Sequence, residues 1–322
     1  MKTYIASRIV QAGILIIIVL GFNFFLFRIL PGDPTRAICG DPRVPAETRE
    51  TLYKMFGLDR PLHEQFLLYL MNVFRGNLGI SYQYKISIIP LLIERLRNTL
   101  LLLLPATILS ITIGITMAIV AVRFRGKWID KLITSMATLL WSVPSFWGGM
   151  LMIYFFAVEL RLFPTGGLIS FGATSIEMGD LLHHLILPMI TYGVIYSGQY
   201  ALVLRDSLTD VLAEDFILLA KAKGYTDFQV LKKHAFKNAS LPLITLIGLN
   251  LGYLILGSIS IETVFTWPGV GRLVYEAVYF NDYSLLQGIF LFFSIVMISI
   301  MVVVDILYTY LDPRVRFKQQ WG

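Results

Sequence analysis

The chain has 322 residues, of which 56% are apolar, 13% aromatic and 15% charged, and its mean hydropathy is +0.71. Soluble domains carry about 25% charged residues, so this chain lacks the polar side chains to cover a water-facing surface; a soluble enzyme is excluded, and the apolar richness also excludes disorder. One cysteine, Cys39, rules out an internal disulfide framework and a multi-thiolate zinc site, and the net charge of +6 must be placed relative to a membrane before it speaks for nucleic acid.

About 20 apolar residues of helix cross a hydrocarbon core of about 30 Å. Six stretches qualify: 9–30, 99–122, 132–158, 184–204, 241–261 and 284–310. The first is longer than the apolar core of a secretory signal and has no A-x-A cleavage site after it, so it reads as a retained span. Segment 31–98 follows, soluble in character and short-helical, with a Pro31-Gly32-Asp33-Pro34 turn and a closing Gly76-Asn77-Leu78-Gly79. It is too short for a large core of its own and is expected to pack on the ends of the spans.

The basic residues set the orientation. Loop 123–131 holds Arg123, Arg125, Lys127 and Lys131, and loop 205–240 holds Arg205, Lys221, Lys223, Lys232, Lys233 and Lys237. The tail adds Arg314, Arg316 and Lys318, and the N-terminus Lys2 and Arg8. Loops 159–183 and 262–283 have only Arg161 and Arg272. Lys and Arg accumulate on the cytoplasmic side, so both termini are expected there. The positive charge is thus mostly topology, and no nucleic-acid partner is expected.

Chemical motifs are missing. There is no phosphate-binding G-x-x-x-x-G-K-[ST], no H-E-x-x-H and no G-x-S-x-G. His183 and His184 are neighbours on a helix, point about 100° apart, and read as an interfacial pair rather than metal ligands. A charge near the bilayer centre costs about 2.5–3.5 kcal/mol on insertion scales. The ionisable residues at the spans are Asp305, near an inner end, and Glu159, Arg205 and Asp206 at span ends. An ion-coupled secondary transporter usually carries a midplane carboxylate. None is evident, so that class stands only as the alternative.

Three spans carry candidate pathway features. Tyr192, Tyr196, Gln199 and Tyr200 share one side of the fourth span at helical spacing. Trp141 and Pro144 lie in the Trp141-Ser142-Val143-Pro144-Ser145-Phe146-Trp147 stretch, where the proline is expected to kink the third span. The fifth holds Asn250 between Gly248 and Gly252, a small-xxx-small pair suited to close helix contact. A polar translocation path and ordinary helix packing with buried hydrogen bonds both produce such a pattern.

The 205–240 loop is the most informative. Glu214, Asp215, Ala220, Lys221, Ala222 and Lys223 lead to Gly224, which reads as a helix stop. Thr226 and Gln229 then have capping-box spacing and open a second helix to about Phe236, with Phe228, Leu231 and Ala235 expected on one face. Two short helices held in the cytosol between spans suit a docking surface; a helix lying on lipid headgroups is the other reading.

At this loop the sequence resembles the permease subunits of ATP-binding-cassette importers. The spacing from Gly224 to Leu241-Pro242 is longer than the general family pattern and resembles the dipeptide/oligopeptide/nickel subfamily. Other stretches share that likeness: Pro31-Gly32-Asp33-Pro34, Gly57-Leu58-Asp59-Arg60-Pro61-Leu62, Gly76-Asn77-Leu78-Gly79-Ile80-Ser81, Val143-Pro144-Ser145-Phe146-Trp147 and Phe163-Pro164-Thr165-Gly166-Gly167. Glu262-Thr263-Val264-Phe265-Thr266-Trp267-Pro268-Gly269-Val270-Gly271 and the closing Leu311-Asp312-Pro313-Arg314 complete the series.

The resemblance implies an all-α integral membrane protein with six transmembrane helices, the type I importer permease fold and a cytoplasmic coupling helix. Its parts would be 1–98, the first span with an extracytoplasmic helical segment; 99–311, the five-helix core; and 312–322, a tail. It implies a prokaryotic inner-membrane location, a second homologous permease subunit, two P-loop ATPase subunits that bind ATP and Mg, an extracytoplasmic solute-binding protein, and surrounding membrane lipid. No cofactor and no catalysis are expected in this chain. Glu214, Asp215, Ala220, Lys221, Ala222, Lys223, Gly224, Thr226, Phe228 and Leu231 would form the ATPase-coupling loop. Peptides are the expected solute class, with nickel and oligosaccharide also open.

Overall fold

The computed structural model describes residues 2–29, 60–172, 175 and 177–311. Cys39, Pro31-Gly32-Asp33-Pro34, Gly57-Leu58-Asp59 and the tail beyond Leu311 lie outside the described residues. Among those described, the fold is helical, with one isolated bridge between Ile80 and Ser87 and no strand. In chain order the helices are α1 (Lys2–Ile29), α2 (Leu62–Phe74), α3 (Ile88–Arg123), α4 (Trp128–Ser142), α5 (Ser145–Met152) and α6 (Met178–Val211). They continue as α7 (Asp215–Ala222), α8 (Asp227–Val230), α9 (Phe236–Gly257), α10 (Ile259–Val264), α11 (Val270–Tyr279) and α12 (Tyr283–Leu311). π-helical segments Ile153–Glu159 and Leu231–Ala235 extend α5 and α8.

Among the described residues four helical segments, Ile5–Arg28, Ile88–Arg123, Met178–Val211 and Tyr283–Val304, are long and apolar enough to cross a membrane. The expected kink in the third span is instead a break: Trp128–Ser142 and Ser145–Glu159 meet at 99°. The cause is local. Pro144 has no N–H and disfavours helical geometry in the residue before it. Val143 accordingly sits at φ −75°, ψ 124°, and Pro144 at φ −59°, ψ 128°. Each half has 15 residues, about 22 Å of helix, too short to cross alone.

The chain forms two compact units, residues 1–97 with 272–322, and residues 98–271. In the first, α1 packs along α12 and touches α2. Asn23, buried within α1, donates from Nδ2 to the Tyr69 hydroxyl and to the Gln287 carbonyl, both at 3.1 Å, so one amide joins three helices. The turn after α2 is fastened to the start of α12 by Asp282, which accepts from Ser81 Oγ at 2.6 Å, Gln83 N at 3.1 Å and Leu285 N at 3.0 Å. The Tyr84 hydroxyl donates to Glu276, and Arg272 pairs with the same carboxylate at 2.8 Å. Burial, followed by the Glu276 hydrogen bond, pushes the Tyr84 phenol up to about 12. It therefore remains a donor at any physiological pH.

In the second unit α6 is the central helix, with α4, α5 and α9 against it. Gly198 makes the α4 approach possible: a Cβ there would lie 2.2 Å from the Ala137 carbonyl oxygen. Small residues at crossings let helix backbones approach closely. A second tie comes from charge. Arg205 grips Asp130 bidentately, Nε to Oδ1 at 2.8 Å and Nη2 to Oδ2 at 3.1 Å, while Gly126 N donates to the same carboxylate. The α3–α4 turn is thereby bound to α6 just before the 212–240 segment begins.

Candidate functional site

That segment forms a promontory. α7 ends in a Schellman motif, with Gly224 N bonded to the Lys221 carbonyl at 2.9 Å and Tyr225 N to the Ala220 carbonyl at 3.4 Å. Gly224 sits at φ +87°, where L side chains are strained, so the expected helix stop is present. Two residues on, Thr226 and Gln229 form the expected capping box, side chain to backbone in both directions. Lys221 Nζ lies 2.9 Å from Asp227 Oδ1 across the turn.

Beneath the promontory Ile217, Ala220, Val230, Ala235 and Ala239 pack on Ala118 and Val122 of α3 and on Leu204 and Leu208 of α6. Its outer crest is apolar but exposed: Leu218, Leu219 and Phe228 are 65%, 58% and 66% accessible. Phe228, Leu231 and Ala235 therefore do not share a face. Ala235 is buried, Leu231 half-buried, and Phe228 turns outward. The π-helical stretch Leu231–Ala235 is the reason, since its wider turn breaks the 3.6-residue register assumed across it. It also joins the loop helix to α9 without interruption, and Pro242 lies inside α9 rather than at the start of a new helix. Glu214 occupies the N-cap position of α7 in an extended conformation, with Asp215 in the first turn. Ala222 and Lys223 close α7, both exposed. Leu218 and Leu219 escaped the sequence reading because an apolar residue in a short helix signals burial unless its neighbours reveal the buried side.

The pathway candidates also converge, within the second unit. The Tyr192 and Tyr196 rings stack at 4.2 Å, and Trp141 meets Tyr196 edge-on at 6.0 Å. Asn250 donates to Gln199 Oε1 at 3.2 Å and to the Tyr200 hydroxyl at 3.0 Å, joining α9 to α6. Tyr192 and Tyr200 are buried, whereas Tyr196, Gln199 and Asn250 are half-buried and Trp141 and Pro144 exposed. The polar face thus divides into an inner packing layer and an accessible layer.

A third constellation lies where α3 meets α10. Glu262, fully buried, accepts from Thr99 Oγ1 at 2.7 Å, and Thr99 Oγ1 accepts from Val270 N at 2.8 Å. Trp267, also fully buried, donates Nε1 to the Asn98 carbonyl at 2.9 Å, and Asn98 Nδ2 returns a bond to the Pro268 carbonyl at 2.9 Å. The connection between Glu159 and Met178 joins through Gly167 N, 2.9 Å from the Phe265 carbonyl. His184, buried, lies 3.1 Å from the Gly166 carbonyl through Nδ1, and His183 bonds the Leu162 carbonyl at 2.8 Å. The two histidines serve different carbonyls of that loop. Among the described residues no group of His, Cys, Asp and Glu is arranged to hold a metal.

Residues 95–317 match the family described as binding-protein-dependent transport system inner membrane component, and residues 1–103 match its N-terminal companion. Two curated relatives cover each chain nearly end to end. One is a probable peptide ABC transporter permease protein, y4tP, of Sinorhizobium fredii, 37% identical over 98% of this chain and all of that one. Another is the glutathione transport system permease protein GsiC of Escherichia coli strain K12, 36% identical over 99% of this chain and all of that one. A solved inward-facing MetNI methionine ABC transporter matches with a TM-score of 0.55, over 70% of this chain and 97% of that chain. Its 18% identity makes that a likeness of fold alone.

Proposed function

The chain belongs to the family of binding-protein-dependent transport system inner membrane components, and we propose that it forms half of the translocation pathway of an ATP-driven peptide importer. It is a multi-pass inner-membrane permease subunit. The finer reading is a six-span chain with both termini cytoplasmic, paired with a second homologous permease. Two P-loop ATPase subunits bind and hydrolyse ATP, and an extracytoplasmic binding protein delivers the solute. The full-length likeness to permeases named for peptide and glutathione transport supports a peptide substrate.

The observation that carries the ATPase partnership is the promontory. A soluble-facing helix pair with Leu218, Leu219 and Phe228 exposed, and a capped, glycine-stopped turn between them, is built to seat in another protein. Its base packs directly on α3 and α6, so a push on the crest reaches two long helices without a flexible intermediary. ATP-driven closure of the partners favours whichever arrangement of those helices fits the closed ATPase pair, a population shift by differential contact.

Crosslinking at Leu218 in native membranes, with affinity purification and mass spectrometry, tests this reading. Recovery of a P-loop ATPase on the crosslink, and uptake that stops on ATP depletion but survives an ionophore, is the expected result. Uptake with the opposite sensitivity and no ATPase on the crosslink would transfer the chain to ion-coupled transport.

Tyr196 and Gln199 are proposed to line a wide path of low selectivity, with choice left to the binding protein. Alanine at either is expected to change the uptake rate severalfold while the ranking of competing peptides stays fixed. A reordered ranking with the same binding protein would give this chain a recognition role instead.

A further inference from the structure

The break between α4 and α5 sits at a depth that packing on α6 fixes. Three contacts set the register within the second unit. Asp130, at the start of α4, pairs with Arg205 at 2.8 Å, Ala137 lies against Gly198, and the Trp141 ring meets Tyr196 at 6.0 Å. α5 leaves from the same level, where a Cβ on Gly148 would come within 2.6 Å of Ile195 Cδ1. Ile195 stands near the middle of the α6 stretch between His184 and Arg205, which holds no Asp, Glu, Lys, Arg or His. Along the helix it is about 16 Å from the first and about 15 Å from the second, and a hydrocarbon core is about 30 Å thick. The break therefore lies near the bilayer midplane.

Main-chain groups are open at such a place. The last carbonyls of a helix and its first N–H groups have no intrahelical partner, and the α5 ladder begins with Gly148 N on the Pro144 carbonyl at 3.0 Å. Ser142, Pro144, Phe146 and Trp147 are exposed, so the described elements leave the break uncovered. Lipid is no cover for it: irregular backbone at this depth is tolerated only where it is buried in protein or faces a water-filled cavity. The side chains alongside decide between those two. Gln199, one helical turn from Tyr196, and Asn250 are half-buried and bonded to each other at 3.2 Å. An accessible polar layer beside open main chain suits water.

We propose that the break is itself a wall of the water-filled solute path, and that its open main-chain groups between Trp141 and Trp147 bond water or the main chain of a peptide in transit. On the peptide-importer reading, on which this assignment rests, such a wall pairs with what every peptide shares, its own N–H and C=O groups. Trp141, Phe146 and Trp147, all exposed, offer apolar side chains a surface without a closed pocket.

The test uses the complete transporter and a charged, membrane-impermeant methanethiosulfonate, which reacts with the thiolate and so with a cysteine that meets water. Ser142→Cys and Phe146→Cys place a thiol at the break, and Ile17→Cys, exposed midway along α1, is the reference within an apolar span. Rates are measured in nanodiscs, where both faces meet the reagent, and uptake in proteoliposomes of the labelled protein. Labelling is read by mass spectrometry at the introduced residue, so Cys39 stays in place. Ser142→Cys is expected to label at least tenfold faster than Ile17→Cys in the ATP-free or the ATP-bound transporter, and its labelling to lower peptide uptake at least tenfold relative to treated wild type. If Ser142→Cys does not assemble, Phe146→Cys decides. Labelling as slow as at Ile17 in both states would overturn the proposal, because the break would then face lipid or another subunit. Fast labelling that leaves uptake unchanged would overturn it too, by placing the break in water away from the solute. Crosslinking at Leu218 reports the ATPase partnership separately, so slow labelling with that partner recovered removes the wall and leaves the importer.

Discussion

Gly224→Asp is expected to leave the chain in the membrane at close to its normal level and to lower solute uptake at least tenfold. The two effects separate because the structural cost is small and the interfacial cost is large. A non-glycine residue in the left-handed region costs roughly 1–2 kcal/mol, and aspartate is among the side chains that tolerate it best. A Cβ at Gly224 meets nothing within 4 Å in the chain, so the new side chain enters the space beside the exposed crest, where a partner would seat. It also places a negative charge at the C-terminal end of α7, where the helix dipole is unfavourable to it. A tenfold loss corresponds to about 1.4 kcal/mol, which a misplaced crest and a desolvated carboxylate readily supply. Gly224→Ala, with somewhat more backbone strain but no charge, is expected to fall between. The measurements are membrane abundance, uptake, and solute-stimulated ATP hydrolysis by the purified transporter. Normal uptake and normal stimulation by the aspartate variant would remove the coupling role from this loop.

What could be read from the sequence follows the range of the interaction. The stop at Gly224, the capping box at Thr226 and the proline break near Val143 depend on residues within four positions of one another, and all are present. Even there, the sharpness of the break was hidden, since a proline signals a lost hydrogen bond and a biased neighbour but not an angle of 99°. Helical spacing failed for Phe228 and Ala235 because a π-helical stretch begins between them, and nothing in Leu231-Lys232-Lys233-His234-Ala235 announces it.

Long-range pairs were invisible for a different reason. In the sequence Arg205 is a charge at a span end and nothing marks Asp130 as its partner; only the α4–α6 crossing brings them to 2.8 Å. Likewise Gly248 and Gly252 carried the small-residue signal for close helix contact. Tight approaches between helices are present at Gly198, against Ala137, and at Gly114, against Ser197 and Tyr200, each partner lying in another helix. A spacing rule within one helix cannot name the residue it faces across a crossing.

Glu262 is the strongest case of this kind and the second large effect to expect. In the sequence it is one letter of a family-like stretch. In the structure its carboxylate is the fully buried centre where α3, α10 and the segment leading into α11 meet. Glu262→Ala removes the acceptor of Thr99 Oγ1 and leaves a cavity beside Trp267. An unsatisfied buried donor costs about 1–3 kcal/mol, and the lost side-chain volume adds to it. Glu262→Gln keeps the shape and an acceptor oxygen for Thr99, so it should be markedly milder. Gly269 offers a check from the other side: a Cβ there would come within 2.4 Å of the Glu262 carboxyl carbon and both its oxygens, and a buried carboxylate cannot move aside without losing its bond. Gly269→Ala and Glu262→Ala should therefore both cut membrane abundance severalfold and lower the melting temperature of the solubilised transporter by several degrees. The two alanine substitutions should fall close together, with Glu262→Gln the mildest of the three. Melting within about 2 °C of wild type for Glu262→Ala, equivalent to under about 1 kcal/mol, would mean that the buried carboxylate is not what holds this end of the unit together.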